Sequence, residues 1–232
     1  MKRLIRLVMG IFLASAALFL ASCSHTQKTQ ESQMKQEAPK GFQYSGFLGD
    51  YSMLSETMDA RGERIMRYVN PKIHAGAYQA IMLEPTQFYP QPQPTKQVDA
   101  NTLASIRNYM DTSLQTKLAK KITLVSKPGP GVLRIRPAIT AVSGDKTSLK
   151  PYQYIPVAFV ITEAKGRKRT AALQVEVDVT DSLSGERMGA AVRSGEGAQL
   201  EGRKAQLTLD DVRPLLDKWT DTGSAFVSQF VR

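Results

Sequence analysis

From Ala171 to Thr180 the chain alternates apolar and polar residues more cleanly than anywhere else. Leu173, Val175, Val177 and Val179 form one set; Gln174, Glu176, Asp178 and Thr180 form the other. A period of two puts such sets on opposite faces of a β-strand. The sequence DSLSGER follows, and then a run in which Met188, Ala190 and Val192 recur at every second place. This predicts a hairpin, with Asp181 bonding the turn backbone and Gly185 taking a positive φ. Met188, Ala190 and Val192 are expected on the inner face of the returning strand. The glycine-rich SGEGAQLEG after it reads as a loop.

Two helices stand out beside the hairpin. Leu103, Ile106, Met110, Leu114 and Leu118 recur at three- and four-residue spacing, which is one buried helical stripe. Asp99 or Asn101 can cap its start, and Lys120-Lys121 suit its C-terminal end. A second helix is expected from about Asp211, capped by that residue and with Pro214 in the first turn. Val212, Leu216, Trp219, Phe226 and Phe230 share its face. Further strands are expected over Ala77–Phe88, Ile122–Val125 and Val132–Val142. In the last of these Pro137 argues for an edge position or a bulge. Val157–Ile161 fits either helix or strand. The fold class is therefore α+β: a mostly antiparallel sheet of four to five strands covered by two amphipathic helices. Its other face is expected to be solvated, because Arg134, Arg136, Gln174, Glu176 and Asp178 point that way.

The N-terminal part is not domain material. Lys2, Arg3 and Arg6 precede an uncharged apolar stretch, Leu7 to Leu20, of about 14 residues, which fits the core of a signal peptide. It is short for a spanning helix. Leu20-Ala21-Ser22-Cys23 matches a signal peptidase II lipobox at every position. Cleavage between Ser22 and Cys23 would make Cys23 the acylated mature N-terminus, with several palmitate-like chains giving a durable anchor. Ser24–Lys40 is polar and Gln-rich, and its 17 residues span roughly 20–25 Å as a flexible tether. The expected organisation is 1–22 leader, 23–40 lipidated cysteine and tether, and 41–232 a single domain. The start of that domain, Gly41 to Pro71, is dense in aromatics. It is expected to pack on the domain edge with a short helix after Gly49, capped by Asp50.

Chemistry is hard to place on this chain. Cys23 is the only cysteine, so neither an intrachain disulfide nor a thiol nucleophile is available. The histidines are His25, on the tether, and His74, in a loop, which is too few for a zinc site. No serine sits in a nucleophile elbow. A pair drawn from Glu84, Glu176, Asp178, Asp181, Glu186 and Glu196 could serve a glycosidase, although carboxylates on a solvated face need no such role. The glycines at 195, 197 and 202 do not have dinucleotide spacing. No metal, cofactor or catalytic residue is assigned. The GRKR turn at 166–169 and Arg203-Lys204 read as ordinary surface charge. Losing Lys2, Arg3 and Arg6 lowers the formal net charge of +10 by three, which leaves a mildly basic chain. A leader out of the cytoplasm argues against nucleic acid as partner.

GFLGDYSML at 46–54, MLEPTQFYP at 82–90, VDVTDSLSGERMGAAV at 177–192 and the DKWT of the last helix occur in a recognisable order. The chain resembles a family of proteobacterial lipoproteins catalogued only as a domain of unknown function. The resemblance covers about Gly41 to Arg232. It implies a lipoprotein leader and an α+β domain, and it brings no catalytic residues. With Ser24 rather than Asp after the cysteine, lipoprotein sorting implies the outer membrane, facing the periplasm.

These readings point to a non-enzymatic binding or structural module of the cell envelope, with a protein or glycan partner. An alternative is a carrier of a small apolar or lipidic ligand, held in a cavity of several hundred Å³ lined by residues such as Met110, Leu114, Val175, Trp219 and Phe226. A carboxylate-dependent cell-wall hydrolase is the third.

Overall fold

The computed structural model describes residues 38–140, 169–200 and 205–232. The leader, Ser22, Cys23, His25 and most of the tether lie outside these residues, as do Val157–Ile161, residues 166–168 of GRKR and Arg203-Lys204. No described helix is long and apolar enough to cross a membrane.

The hairpin read from the sequence is the centre of the sheet. β7 (Arg169–Asp181) and β8 (Arg187–Leu200) pair antiparallel over their length. Asp181 Oδ1 accepts from the Leu183 and Ser184 backbone N–H groups at 3.1 and 2.8 Å, and Gly185 has φ 72°. The SGEGAQLEG loop begins later than expected, because β8 continues through Ser194–Leu200. Those glycines serve packing. A Cβ on Gly197 would lie 2.1 Å from the Asp211 carbonyl oxygen, and one on Gly195 would lie 2.9 Å from the Trp219 ring. Only hydrogen fits where the second helix crosses this strand.

Outside the hairpin the sheet is larger than expected and mixed. Eight strands are described, in the order β1-β2-β8-β7-β6-β3-β5, with β4 also on β6. β1 (Ser55–Met58) and β2 (Arg64–Val69) form an antiparallel hairpin that joins β8. β3 (Ala80–Leu83), β4 (Gln87–Tyr89), β5 (Thr123–Leu124) and β6 (Val132–Thr140) supply the parallel side. The expected single strand over Ala77–Phe88 is split by Glu84-Pro85-Thr86. That split explains Pro137, which sits within the sheet rather than on its edge. β3 pairs with β6 up to Ile135 and β4 pairs from Ala138, so Pro137 falls in the gap between them. A missing N–H costs no ladder bond there.

Helix α1 (Ala100–Ala119) follows the expectation. Asp99 caps it, accepting from Thr102 N at 2.7 Å, and Leu103, Ile106, Met110 and Leu118 are buried. Helix α2 (Leu209–Val227) starts earlier than Asp211. Thr208 is its cap, and the Thr208 N–H and hydroxyl both donate to Asp211 Oδ2, at 2.8 and 2.9 Å. Pro214 therefore lies in the second turn and leaves the Asp210 carbonyl without its usual donor. Lys117 ties the helices together, donating to Thr220 Oγ1 and Asp221 Oδ1 at 2.7 and 2.8 Å. Val212, Leu216 and Trp219 are buried against Ile139, Leu173 and Val175.

The largest departure is on the opposite face of the sheet, which is not solvated. Gln174, Glu176 and Asp178 are 0 %, 0 % and 5 % exposed. Residues 42–54 run across them as a strap, in turns rather than in the expected helix, and they cover the sheet face rather than its edge. Asp50 closes a turn on Ser52 N (2.8 Å). Phe47, Leu48, Tyr51 and Leu54 pack on Met66, Ala138, Ala190 and Val192. Ala190 and Val192 thus belong to this second core and not to the inner face. Met188 reaches the inner side because the β7–β8 register shifts at Val179/Thr180. Burying each large apolar side chain of the strap contributes about 1.5–3 kcal/mol, an upper bound.

The strap's polar groups find partners on β7. Gln174 exchanges two hydrogen bonds with the Gln43 backbone, 3.0 and 2.6 Å. Glu176 accepts from Ser45 N (3.1 Å) and from the Tyr51 hydroxyl (2.7 Å). Arg187 bridges Asp178 Oδ1 (2.8 Å) and the Leu48 carbonyl (2.7 Å). An outward-facing polar row on a strand can equally be the anchoring row of a covering segment, and here it is.

Candidate functional site

On the inner face, α2 changes character along its length. Its sheet-facing side carries Val212, Leu216 and Trp219, and then the small residues Thr220, Gly223 and Ser224 before Phe226 and Val227. Below it the sheet presents Ile135, Val177, Val179 and Met188. Small residues over branched ones leave space unfilled, and Val177 and Val179 are only half-buried. The result is an apolar cavity of about 210 Å³ between the C-terminal half of α2 and the sheet. Exposed Ala60, Gly223, Ala225 and Gln229 are among the residues around it.

All five residues expected to line such a cavity do so: Met110, Leu114, Val175, Trp219 and Phe226. Phe226 packs edge-on against Phe230 (5.5 Å between centroids), which has left the helix for a single 3₁₀ turn. The Ser224 hydroxyl is buried without a hydrogen-bond partner.

Three charged residues also line the cavity, and sequence reasoning missed them. Asp59 closes the β1–β2 turn, accepting from Arg61 N (2.8 Å) and Glu63 N (2.9 Å). Arg193, on β8, pairs with Asp59 Oδ2 at 2.7 Å. Burial works to raise the Asp59 pKa, but the Glu63 N–H, the Arg193 guanidinium and the Arg61 N–H together hold it below its usual value. Arg67, on β2, lies over the Phe226 ring at 4.4 Å. Burial and then the nearby Arg193 lower its pKa, while Asp59 opposes them. The available signal was Asp59-Ala60-Arg61-Gly62, a turn sequence between two short β-like runs.

The other candidates are placed elsewhere. His74 is exposed in a turn, with Nδ1 3.2 Å from the Ala75 carbonyl. No group of three metal-ligating side chains occurs among the described residues. Glu84 pairs with Arg134, Glu186 with Lys72 (2.8 Å), and Asp178 with Arg187 and Arg136 (2.8 and 3.6 Å). Asp181 holds the hairpin turn. Glu176 is sealed beneath the strap, where burial raises its pKa despite the bonds from Tyr51 and Ser45. A second hollow, about 370 Å³, opens beside Tyr78, Lys72 and Glu186, whose two charges already pair with each other.

Comparison with known proteins places the chain among relatives. It is 33% identical to the uncharacterized lipoprotein YdcL of Escherichia coli K12 over 187 residues, covering 79% of this chain and 84% of that one. Among solved structures, the PelC dodecamer from Paraburkholderia phytofirmans overlaps 72% of this chain and 98% of its own, at 9% identity and a TM-score of 0.38. Protein XCC0632 from Xanthomonas campestris overlaps 68% and 88%, at 13% identity and a TM-score of 0.37. Overlaps this loose carry no inference. The family model for a protein of unknown function, DUF3313, matches residues 43–222, from the strap to within α2, and the chain belongs to that family.

Proposed function

We propose that this chain is a lipid-anchored, non-enzymatic protein of the cell envelope that binds a small apolar ligand between α2 and the sheet. The observation that carries this reading is the cavity of about 210 Å³ beneath Thr220, Gly223 and Ser224. An apolar cavity near 150 Å³ already takes a benzene-sized guest, so this volume suits one slender chain or ring. Its lining is branched aliphatic and aromatic, as ligand pockets are. The candidate carboxylates with partners hold ion pairs, turns or the strap, which favours binding over hydrolysis.

The anchor supports the same reading. Leu20-Ala21-Ser22-Cys23 supplies a lipobox, and the relative YdcL is named a lipoprotein. Acylated Cys23 and the tether to Lys40 hold the domain near a bilayer. Ser24 directs it to the outer membrane, on the periplasmic side.

Trp219 is the only tryptophan in the chain and lines the cavity, so it reports occupancy directly. Bromooctanol, whose bromine quenches tryptophan on contact, should quench Trp219 saturably in the native chain. Quenching that grows linearly without saturation would count against the reading. For the anchor, labelled palmitate should enter the wild type and not Cys23→Ala.

A further inference from the structure

The cavity is apolar along most of its wall and cationic at one end. Arg67 and Arg193 come from neighbouring strands: Arg67 pairs in register with Ala191, and Arg193 is two residues further along the same face of β8. Asp59 is the only acidic residue among those lining the cavity, so it offsets one of the two cations. Its Oδ2 takes the Arg193 guanidinium, and its Oδ1 is held by the turn backbone.

Two features mark the remaining positive charge as unfinished. The Arg193 side chain is 9% exposed; its Nη1 has no hydrogen-bond partner, and neither has Asp59 Oδ2, which lies 2.7 Å from Arg193 Nη2 as an ion pair. A buried guanidinium N–H without an acceptor is rare and costly in a folded protein. Arg67 stacks on Phe226 and makes neither an ion pair nor a hydrogen bond among the described residues. Two guanidinium groups against one carboxylate, at one end of an apolar cavity, suit a molecule with an anionic head and an apolar tail.

We infer that the cavity binds a single-chain anionic amphiphile, with its tail against Val177, Val179 and Trp219 and its acidic head at Arg67 and Arg193. This rests on the apolar-ligand reading above and adds the head-group class. The volume admits one chain and not the two of a membrane phospholipid. A carboxylate or phosphate head would accept from Arg67 in charge-assisted bonds, with the Arg193 charge beside it, while Phe226 keeps Arg67 in place.

The test uses the full chain in phosphatidylcholine liposomes at pH 8, with Trp219 fluorescence as readout. The ligands are ω-bromooctanoate and ω-bromooctanol, which have the same chain and differ in head charge. Wild type should bind the carboxylate roughly tenfold or more tightly than the alcohol, as expected for a bond to a charged group. Arg67→Gln should weaken binding of the carboxylate more than binding of the alcohol and so shrink that preference, and Arg67→Lys should keep part of it. Equal binding of the two ligands by wild type would overturn the head-group inference while leaving the apolar site standing. Equal weakening of both ligands by Arg67→Gln would also overturn it. Absence of saturable quenching by either ligand would overturn the site itself. Bromooctyl phosphate in a parallel titration distinguishes a phosphate head from a carboxylate.

Discussion

The Tyr51 hydroxyl donates a 2.7 Å hydrogen bond to Glu176 Oε2, joining the strap to the middle of the central strand. The same oxygen accepts from the Gly46 and Leu48 N–H groups, at 2.8 and 3.3 Å. One side-chain oxygen thus closes the strap's turn and fastens it to a buried carboxylate. Tyr51→Phe keeps the ring, which stacks on Tyr44 at 4.1 Å between centroids. It removes the hydroxyl from these three partners among the described residues. Stability should fall by about 2–3 kcal/mol, the range for leaving buried polar groups unmatched. Urea unfolding of wild type and variant measures it. A loss below a few tenths of a kcal/mol would show the strap to be held by its apolar contacts alone.

Glu176 makes stability depend on pH in a direction opposite to Asp59, Asp181 and Asp221. Burial raises its folded pKa above the ordinary 4.5. Between 4.5 and the raised value the native chain keeps a proton that the unfolded chain has released. Stability therefore falls as pH rises through that window, and Glu176 contributes fully only below it. Asp59, Asp181 and Asp221 have lowered values, so their contributions are lost as pH falls. Subtracting the Glu176→Gln profile from that of wild type isolates the glutamate. The wild-type advantage should shrink with rising pH, and a flat difference across the window would contradict the assignment.

What could be read from the sequence was local. The β7–β8 hairpin, the α1 stripe and the Asp99 cap depend on spacing and turn chemistry within a few residues, and each is present. The cavity walls were legible too, because Met110, Val175 and Trp219 lie on strongly periodic elements. What failed depended on distant partners. Gln174, Glu176 and Asp178 look like a solvated row until the strap from residues 42–54 is laid across them. Gly195 and Gly197 look like a loop until α2 is brought against β8. Arg67 and Arg193 meet only because β2 pairs with β8, more than a hundred residues apart in sequence. Periodicity carries no information about such pairings.

The two kinds of glycine should respond oppositely to alanine. At Gly197 a Cβ would meet the Asp211 carbonyl oxygen at 2.1 Å, so α2 must shift away from β8. Gly197→Ala should cost about 3 kcal/mol or more, at or beyond the upper end for overpacking. At Gly223, within α2, a Cβ meets nothing within 4 Å. Gly223→Ala should stabilise by about 0.5–1 kcal/mol through helix propensity. Denaturation midpoints of the two variants test the contrast. Equal effects at the two positions would mean that the close approach of α2 to β8 is not maintained in solution.

Ser224→Leu tests whether the space beneath α2 is kept open at a cost in stability. The serine hydroxyl is buried with no partner beside a cavity of about 210 Å³. Leucine would remove the unmatched hydroxyl and place apolar atoms where few exist. Filling the space should stabilise the fold by about 1–2 kcal/mol, the transfer gain less some strain. The same change should abolish quenching of Trp219 by bromooctanol, because the guest's volume is occupied. Thermal unfolding and the quenching titration, run on the same preparation, give both readings. A leucine variant that is more stable and no longer binds marks a site retained for its ligand rather than for the fold. A variant that loses stability and still quenches would show that the cavity collapses around other side chains and that the ligand lies elsewhere.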